Sequence, residues 1–163
     1  MFYRYLSIFF KLRSVDISSW NTDKVTAFNR MFWNCQKLTD VKMNCSKTSL
    51  TEAGVKEMFT NCYLLQTVDM SSFDFHDAND FTSIFSNCNS LQTIVFGKSN
   101  TSNIIYMNNA FAYVGGNGEF TCVDADFSSA TIVDKLSTRQ LVFILHSTRR
   151  VLKSVRREGR FLS

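Results

Sequence analysis

A block of the form Met/Ile-Phe-x-Asn-Cys-x-x-Leu-x-x-Val/Ile-x-Met/Phe returns three times in this chain, and its spacing constrains the fold more than any other feature. It begins at Met31-Phe32-Trp33-Asn34-Cys35, Met58-Phe59-Thr60-Asn61-Cys62 and Ile84-Phe85-Ser86-Asn87-Cys88. The anchors Phe32, Phe59, Phe85 and Phe111 are 27, 26 and 26 residues apart. A fixed period of this size marks a solenoid, in which each unit stacks only on its neighbours.

Each anchor is followed by a leucine and then by alternating apolar residues, the pattern of a short strand in a leucine-rich repeat. The rungs read Leu12/Val15/Ile17, Leu38/Val41/Met43, Leu65/Val68/Met70 and Leu91/Ile94/Phe96. A fifth keeps register at Phe120 and Cys122, with Asn117 in its leucine slot. Between rungs the apolar spacing becomes roughly helical, as in Val25, Phe28, Met31, Phe32 and in Ile104, Met107, Ala110, Phe111. Residues at i, i+3 and i+7 share one helix face, so the expected unit is a short parallel strand followed by a short helical turn. The second unit carries one extra residue, with Glu52 at its first slot, which accounts for the spacing of 27. The predicted fold class is an α/β repeat, a leucine-rich-repeat-like right-handed solenoid. Phe, Leu and Val/Ile columns form its core.

These motifs resemble the BspA-like leucine-rich repeats of bacterial surface proteins, found also in mycoplasmas and some protozoan parasites. The resemblance rests on Val15-Asp16-Ile17-Ser18-Ser19-Trp20-Asn21-Thr22, Val68-Asp69-Met70-Ser71-Ser72-Phe73 and the three Phe-x-Asn-Cys blocks, and spans roughly residues 5 to 136. It implies a non-enzymatic protein at the cell surface or outside the cell, acting in adhesion. The partner it implies is a protein or host-matrix ligand, with no small-molecule substrate.

The 163 residues include 16 Phe and no Pro, which suits one apolar repeat domain without a Pro-rich linker. The apolar start from Met1 to Lys11 is broken by Arg4 and lacks a cleavage site of small residues. Repeat register accounts for it better, because Leu6 and Phe9 fall in the Phe and Cys slots. The solenoid is therefore read as residues 1–138, degenerate at both ends.

Residues 139–163 differ. They hold seven basic residues and one acid, Glu158, whereas the remainder is slightly acidic, so the overall charge of +4 belongs to this tail. Leu141, Ile144, Leu145, Leu152 and Val155 lie near helical spacing. The favoured reading is a cap over the last rung, because an open solenoid end exposes strand edges. The alternative is contact with anionic membrane or nucleic acid. Against nucleic acid, only Phe143 and Phe161 interleave with the basic residues.

The cysteines at equivalent slots do not form a metal site. Phe9 and Val114 occupy the same slot in other units, and spacings of 26 and 27 are far from those of zinc ligands. Parallel neighbours also keep Cβ atoms near ~4.8 Å, beyond the disulfide optimum of about 3.8 Å. Cys35, Cys62, Cys88 and Cys122 are expected to be buried thiols, and Cys45, off the slots, the reactive one. Asn34, Asn61 and Asn87 suggest an asparagine ladder that satisfies backbone groups in turns. Asp74-Phe75-His76-Asp77 reads as a solvated loop, and Val114-Gly115-Gly116-Asn117-Gly118 as a turn. Asn44-Cys45-Ser46 and Asn100-Thr101-Ser102 match the glycosylation pattern, for which chance is the simpler account. No nucleophile, base and orienting group are assembled, and no cofactor is implied.

Residues alternating with the core point outward on the strand face. The candidate binding residues are Asp16, Ser18, Asp40, Lys42, Asn44, Thr67, Asp69 and Ser71, with Ser14, Thr93, Val95, Gly97, Glu119 and Thr121 completing the rows. Asp16, Lys42 and Asp69 form a column of alternating charge. Asp16 and Asp69 are two rungs apart, too far to share a calcium ion. With no Trp, Tyr or Arg anchor on this face, weak contacts multiplied over rungs are the expected mode of binding.

Overall fold

The computed structural model describes residues 10–43, 50–51, 54–96, 101–116 and 120–123. Among the described residues, five three-residue strands follow in chain order: β1 (Ser14–Asp16), β2 (Asp40–Lys42), β3 (Thr67–Asp69), β4 (Thr93–Val95) and β5 (Thr121–Val123). All paired strands are parallel. Val15 pairs with Val41, Val68 with Ile94, and Ile94 with Cys122. This is the register set by the repeat arithmetic. The strands fall into two sheets, β1-β2 and β3-β4-β5, and β2 contacts β3 without a strand ladder between them. The break lies in the unit of 27 residues.

The expected helical turns are absent. No helix forms among the described residues, and the segments 28–35, 54–62, 81–88 and 107–114 are ribbons of successive turns. Within the first ribbon, Met31, Trp33 and Cys35 donate their N–H groups three residues back, to the carbonyls of Phe28, Arg30 and Phe32. The N–H groups of Phe28, Arg30, Phe32 and Asn34 donate instead to the next ribbon, at Gly54, Lys56, Met58 and Thr60, over 2.6–3.1 Å. The third ribbon repeats the rule, with Phe81, Ser83, Phe85 and Asn87 donating to Tyr106, Asn108, Ala110 and Ala112. A helix would spend every N–H inside its own turn. Alternating donation keeps an apolar spacing of three and four while tying each unit to its neighbour.

The geometry requires two left-handed residues in each ribbon. They are Arg30 and Asn34, Glu57 and Asn61, Ser83 and Asn87, and Asn109 and Tyr113, with φ between 54° and 64°. Left-handed backbone costs roughly 1–2 kcal/mol for most side chains and least for Asn. Asn fills the second slot in three ribbons, and the first slot is compensated once by a bidentate ion pair. Arg30 Nε and Nη2 lie 2.7 and 2.9 Å from the Glu57 carboxylate on the adjacent ribbon.

The columns are buried as the sequence requires. Phe32, Phe59, Phe85 and Phe111 stack face to face, with centroids 5.2, 5.5 and 6.0 Å apart. Leu38, Leu65 and Leu91 form a second column and Val41, Val68 and Ile94 a third. The loop Asp74-Phe75-His76-Asp77 is only partly solvated. His76 and Asp77 are exposed, but Phe75 is fully buried among Phe73, Phe81 and Phe96. The first-repeat residues Leu6 and Phe9, the boundary at 138 and the basic tail lie outside the described residues.

Candidate functional surface

Alternation along each strand places Ser14, Asp16, Asp40, Lys42, Thr67 and Asp69 in solvent, with Ser18 and Ser71 exposed just beyond the strand ends. Thr93 and Val95 are half-buried, and Thr121 is exposed. The face is thus a register of small polar and charged side chains. Asn44, Cys45, Gly97, Glu119 and the acceptor asparagines Asn44 and Asn100 lie outside the described residues.

Local chemistry explains part of this composition. Asp16 Oδ1 accepts the backbone N–H of Ser18 at 3.0 Å, and Asp69 Oδ1 accepts that of Ser71 at 2.9 Å. Such Asx turns end the strand by giving the backbone a side-chain partner in place of the next ladder bond. The Ser18 hydroxyl also donates to Asp16. These bonds, with a smaller contribution from Lys42, hold the Asp16 carboxyl below its usual range. Lys42 Nζ lies 4.0 Å from Asp16 Oδ2 across the β1-β2 register, which brings together the first two members of the expected charge column. Asp16, Ser18, Asp69 and Ser71 therefore have a folding role whether or not they meet a partner.

The asparagine and cysteine slots are structural. Asn87 Nδ2 donates to Asn61 Oδ1 at 2.7 Å, and Gln36 Nε2 donates to Asn34 Oδ1 at 3.1 Å. The expected ladder thus has one side-chain bond between rungs, Asn87 to Asn61, while Gln36 bonds to Asn34 within a single unit, and what the three Asn residues share is the left-handed backbone that Asn tolerates. Cys62 Sγ lies 3.1 Å from the Phe32 carbonyl and Cys88 Sγ 3.1 Å from that of Phe59, so each thiol bonds back to the preceding ribbon. Cys35, Cys62, Cys88 and Cys122 are buried and free of disulfides. Burial pushes the Cys35 thiol up to about 11 and raises the other three further. They are poor nucleophiles, since the thiolate is the reactive form.

Among the described residues no group of three or more His, Cys, Asp or Glu is placed to hold a metal ion. His76 Nδ1 and Asp77 Oδ1 are 2.9 Å apart, both largely in solvent.

Residues 3–119 match the family described as Mycoplasma protein of unknown function, DUF285. The chain belongs to this family. No curated protein and no solved structure matches the DUF285 chain. No helix among its described residues is long and apolar enough to cross a membrane.

Slot comparison along the strands misses a second surface. Trp33, Tyr63, Leu64 and Tyr113 are all exposed, at the corner where ribbon passes to strand. Their signal in the sequence is weak because they occupy four different slots of the repeat, so no period links them.

Proposed function

We propose that this DUF285 chain is a non-enzymatic binding module of a surface protein, built as a short solenoid of the leucine-rich-repeat class. It acts in adhesion through many weak contacts to a protein or host-matrix ligand. The reading is carried by the strand face, whose outward residues repeat in register over successive rungs and are exposed on β1, β2 and β3. A surface of this kind offers similar small groups at about 4.8 Å intervals, which suits avidity more than a single tight pocket. The surface location in this reading rests on the resemblance to BspA-like repeats.

The test compares the chain as a soluble monomer with the same chain displayed densely on beads, both over immobilised extracellular-matrix proteins. Retention of the beads alone is expected, with loss when Asp16, Lys42 and Asp69 are changed together to Ala. Nanomolar binding by the monomer, or retention unaffected by the triple change, would refute the multivalent strand-face reading.

A further inference from the structure

The strand side of the solenoid is tied at every described junction but one. The Ile17 N–H donates to the Lys42 carbonyl at 2.9 Å and the Thr39 N–H to that of Arg13 at 2.8 Å, which joins β1 to β2. Met70 to Val95 at 2.7 Å and Gln92 to Gln66 at 2.9 Å join β3 to β4 in the same way, and Thr121 to Gln92 at 2.8 Å joins β4 to β5. At the equivalent places between β2 and β3, Met43 with Asp69 and Gln66 with Thr39, no such backbone bond forms among the described residues, and the sheet divides there into two plates. The Ser72 hydroxyl, which donates to the Met43 carbonyl at 2.8 Å, is a side-chain latch across this joint.

On the ribbon side the same units stay tied. Ribbon 28–35 donates four N–H groups to ribbon 54–62, and Glu57, Phe59 and Asn61 donate in turn to Thr82, Ile84 and Ser86 at 2.8–3.0 Å. The rings of Phe32, Phe59 and Phe85 stack through both contacts. Gly54 lets the first two of these ribbons meet closely, at a place where a Cβ would lie 3.1 Å from the Thr26 carbonyl. Inside the solenoid, Val41 and Met43 on one side of the joint and Val68 and Met70 on the other are all buried. Apolar contact has no preferred direction, so it holds the plates together without fixing their angle. Directional bonds along one edge and none along the other make a hinge.

We infer that the β2–β3 joint is a hinge whose axis runs along the ribbons and whose strand side opens and closes. Asp16 and Lys42 stand on one plate, Asp69 and Thr121 on the other. Lys42 pairs within its own plate, 4.0 Å from Asp16, and so does not clamp the joint. Opening therefore changes the spacing of the outward column between its second and third members while the spacing within each plate stays fixed. A ligand that touches both plates selects the opening it fits, by a shift of population between the two states. That use rests on the strand-face reading, whereas the motion belongs to the free chain.

Pulsed dipolar EPR of the full chain tests this, with spin labels on cysteine pairs introduced in a Cys45→Ser background. Cys35, Cys62, Cys88 and Cys122 are buried and poor nucleophiles, so they stay unlabelled. Asp40→Cys with Thr121→Cys spans the joint on the strand side, and Trp33→Cys with Ala112→Cys spans it on the ribbon side, each over three rungs or roughly 14 Å. The strand pair is expected to give a broad distribution that extends to longer distances, and the ribbon pair a narrow one. Ser72→Ala should extend the strand distribution further and leave the ribbon pair unchanged. Equal widths for the two pairs, or a strand pair unmoved by Ser72→Ala, would overturn the inference. A hinge found in a chain that matrix-coated surfaces fail to retain would instead refute the strand-face reading alone.

Discussion

The two sides of each rung are held together differently, and the contrast is sharpest where β2 meets β3. On the strand side the three-residue ladder is interrupted there, and one side-chain bond, Ser72 Oγ to the Met43 carbonyl at 2.8 Å, is placed across the gap. On the ribbon side the same two units are joined by four backbone bonds, the Arg30–Glu57 ion pair and the Phe32–Phe59 stack. Short strands need few ladder bonds when the turns supply their own. The strand side is thus left open to carry solvent-facing residues, while the ribbon side carries the cohesion.

The largest test of that division is Phe85→Ala. Phe85 is fully buried between Phe59 and Phe111, and its removal should cost about 3–5 kcal/mol in denaturant melts. A loss near zero would mean that the stack is not what joins the rungs.

Gly54→Ala probes the junction itself. A Cβ there would lie 3.0 Å from the Thr51 carbonyl and 3.1 Å from both the Thr26 carbonyl and Leu50, so the ribbons must part slightly. The expected cost is about 1–3 kcal/mol. Gly116→Ala, whose Cβ would meet nothing nearer than 3.8 Å, is the control expected to change little. Equal effects at the two glycines would show that the ribbon contact at the sheet break is unimportant.

Asn87 separates backbone conformation from hydrogen bonding. Asn87→Ala loses both the left-handed preference and the bond to Asn61, and should cost about 1–2 kcal/mol. Asn87→Gly loses only the bond and should cost less by calorimetry. If the two variants melt together, the left-handed backbone is not the reason for Asn at this slot.

The smallest expected effect is a pH dependence. Below pH 9 the Cys35 thiol is protonated in both folded and unfolded chains. Between the ordinary value of 9.0 and the folded value of about 11, the unfolded chain ionises first, so stability should fall as pH rises. Thermal melts from pH 8 to 11 should show a shallower decline for Cys35→Ala than for the unaltered chain. Identical slopes would mean that this thiol is not protected by the ribbon.

Much of the architecture could be read from slots. The Phe, Leu and Val/Ile columns, the strand register and the outward Asp16–Lys42 pair follow from a period that places like residues in like environments. The turn ribbons could not. Phe28, Met31 and Phe32 show the same spacing in a helix and in successive turns, and only the destination of each N–H separates the two. Phe75 was hidden by its charged neighbours, because burial depends on the rungs above and below rather than on the adjacent residues. The exposure of Trp33, Tyr63 and Tyr113 was hidden for the opposite reason, because they sit at unlike slots and no period marks them.

By itself the sequence determined the repeat length, the parallel register and which side chains turn inward, since a periodic apolar pattern has one economical way to be buried. The tertiary structure alone decided that turns rather than helices form among the described residues between the strands, and that the sheet breaks after β2. Those outcomes depend on how backbone donors are divided between a unit and its neighbour, and residue identity does not record that division.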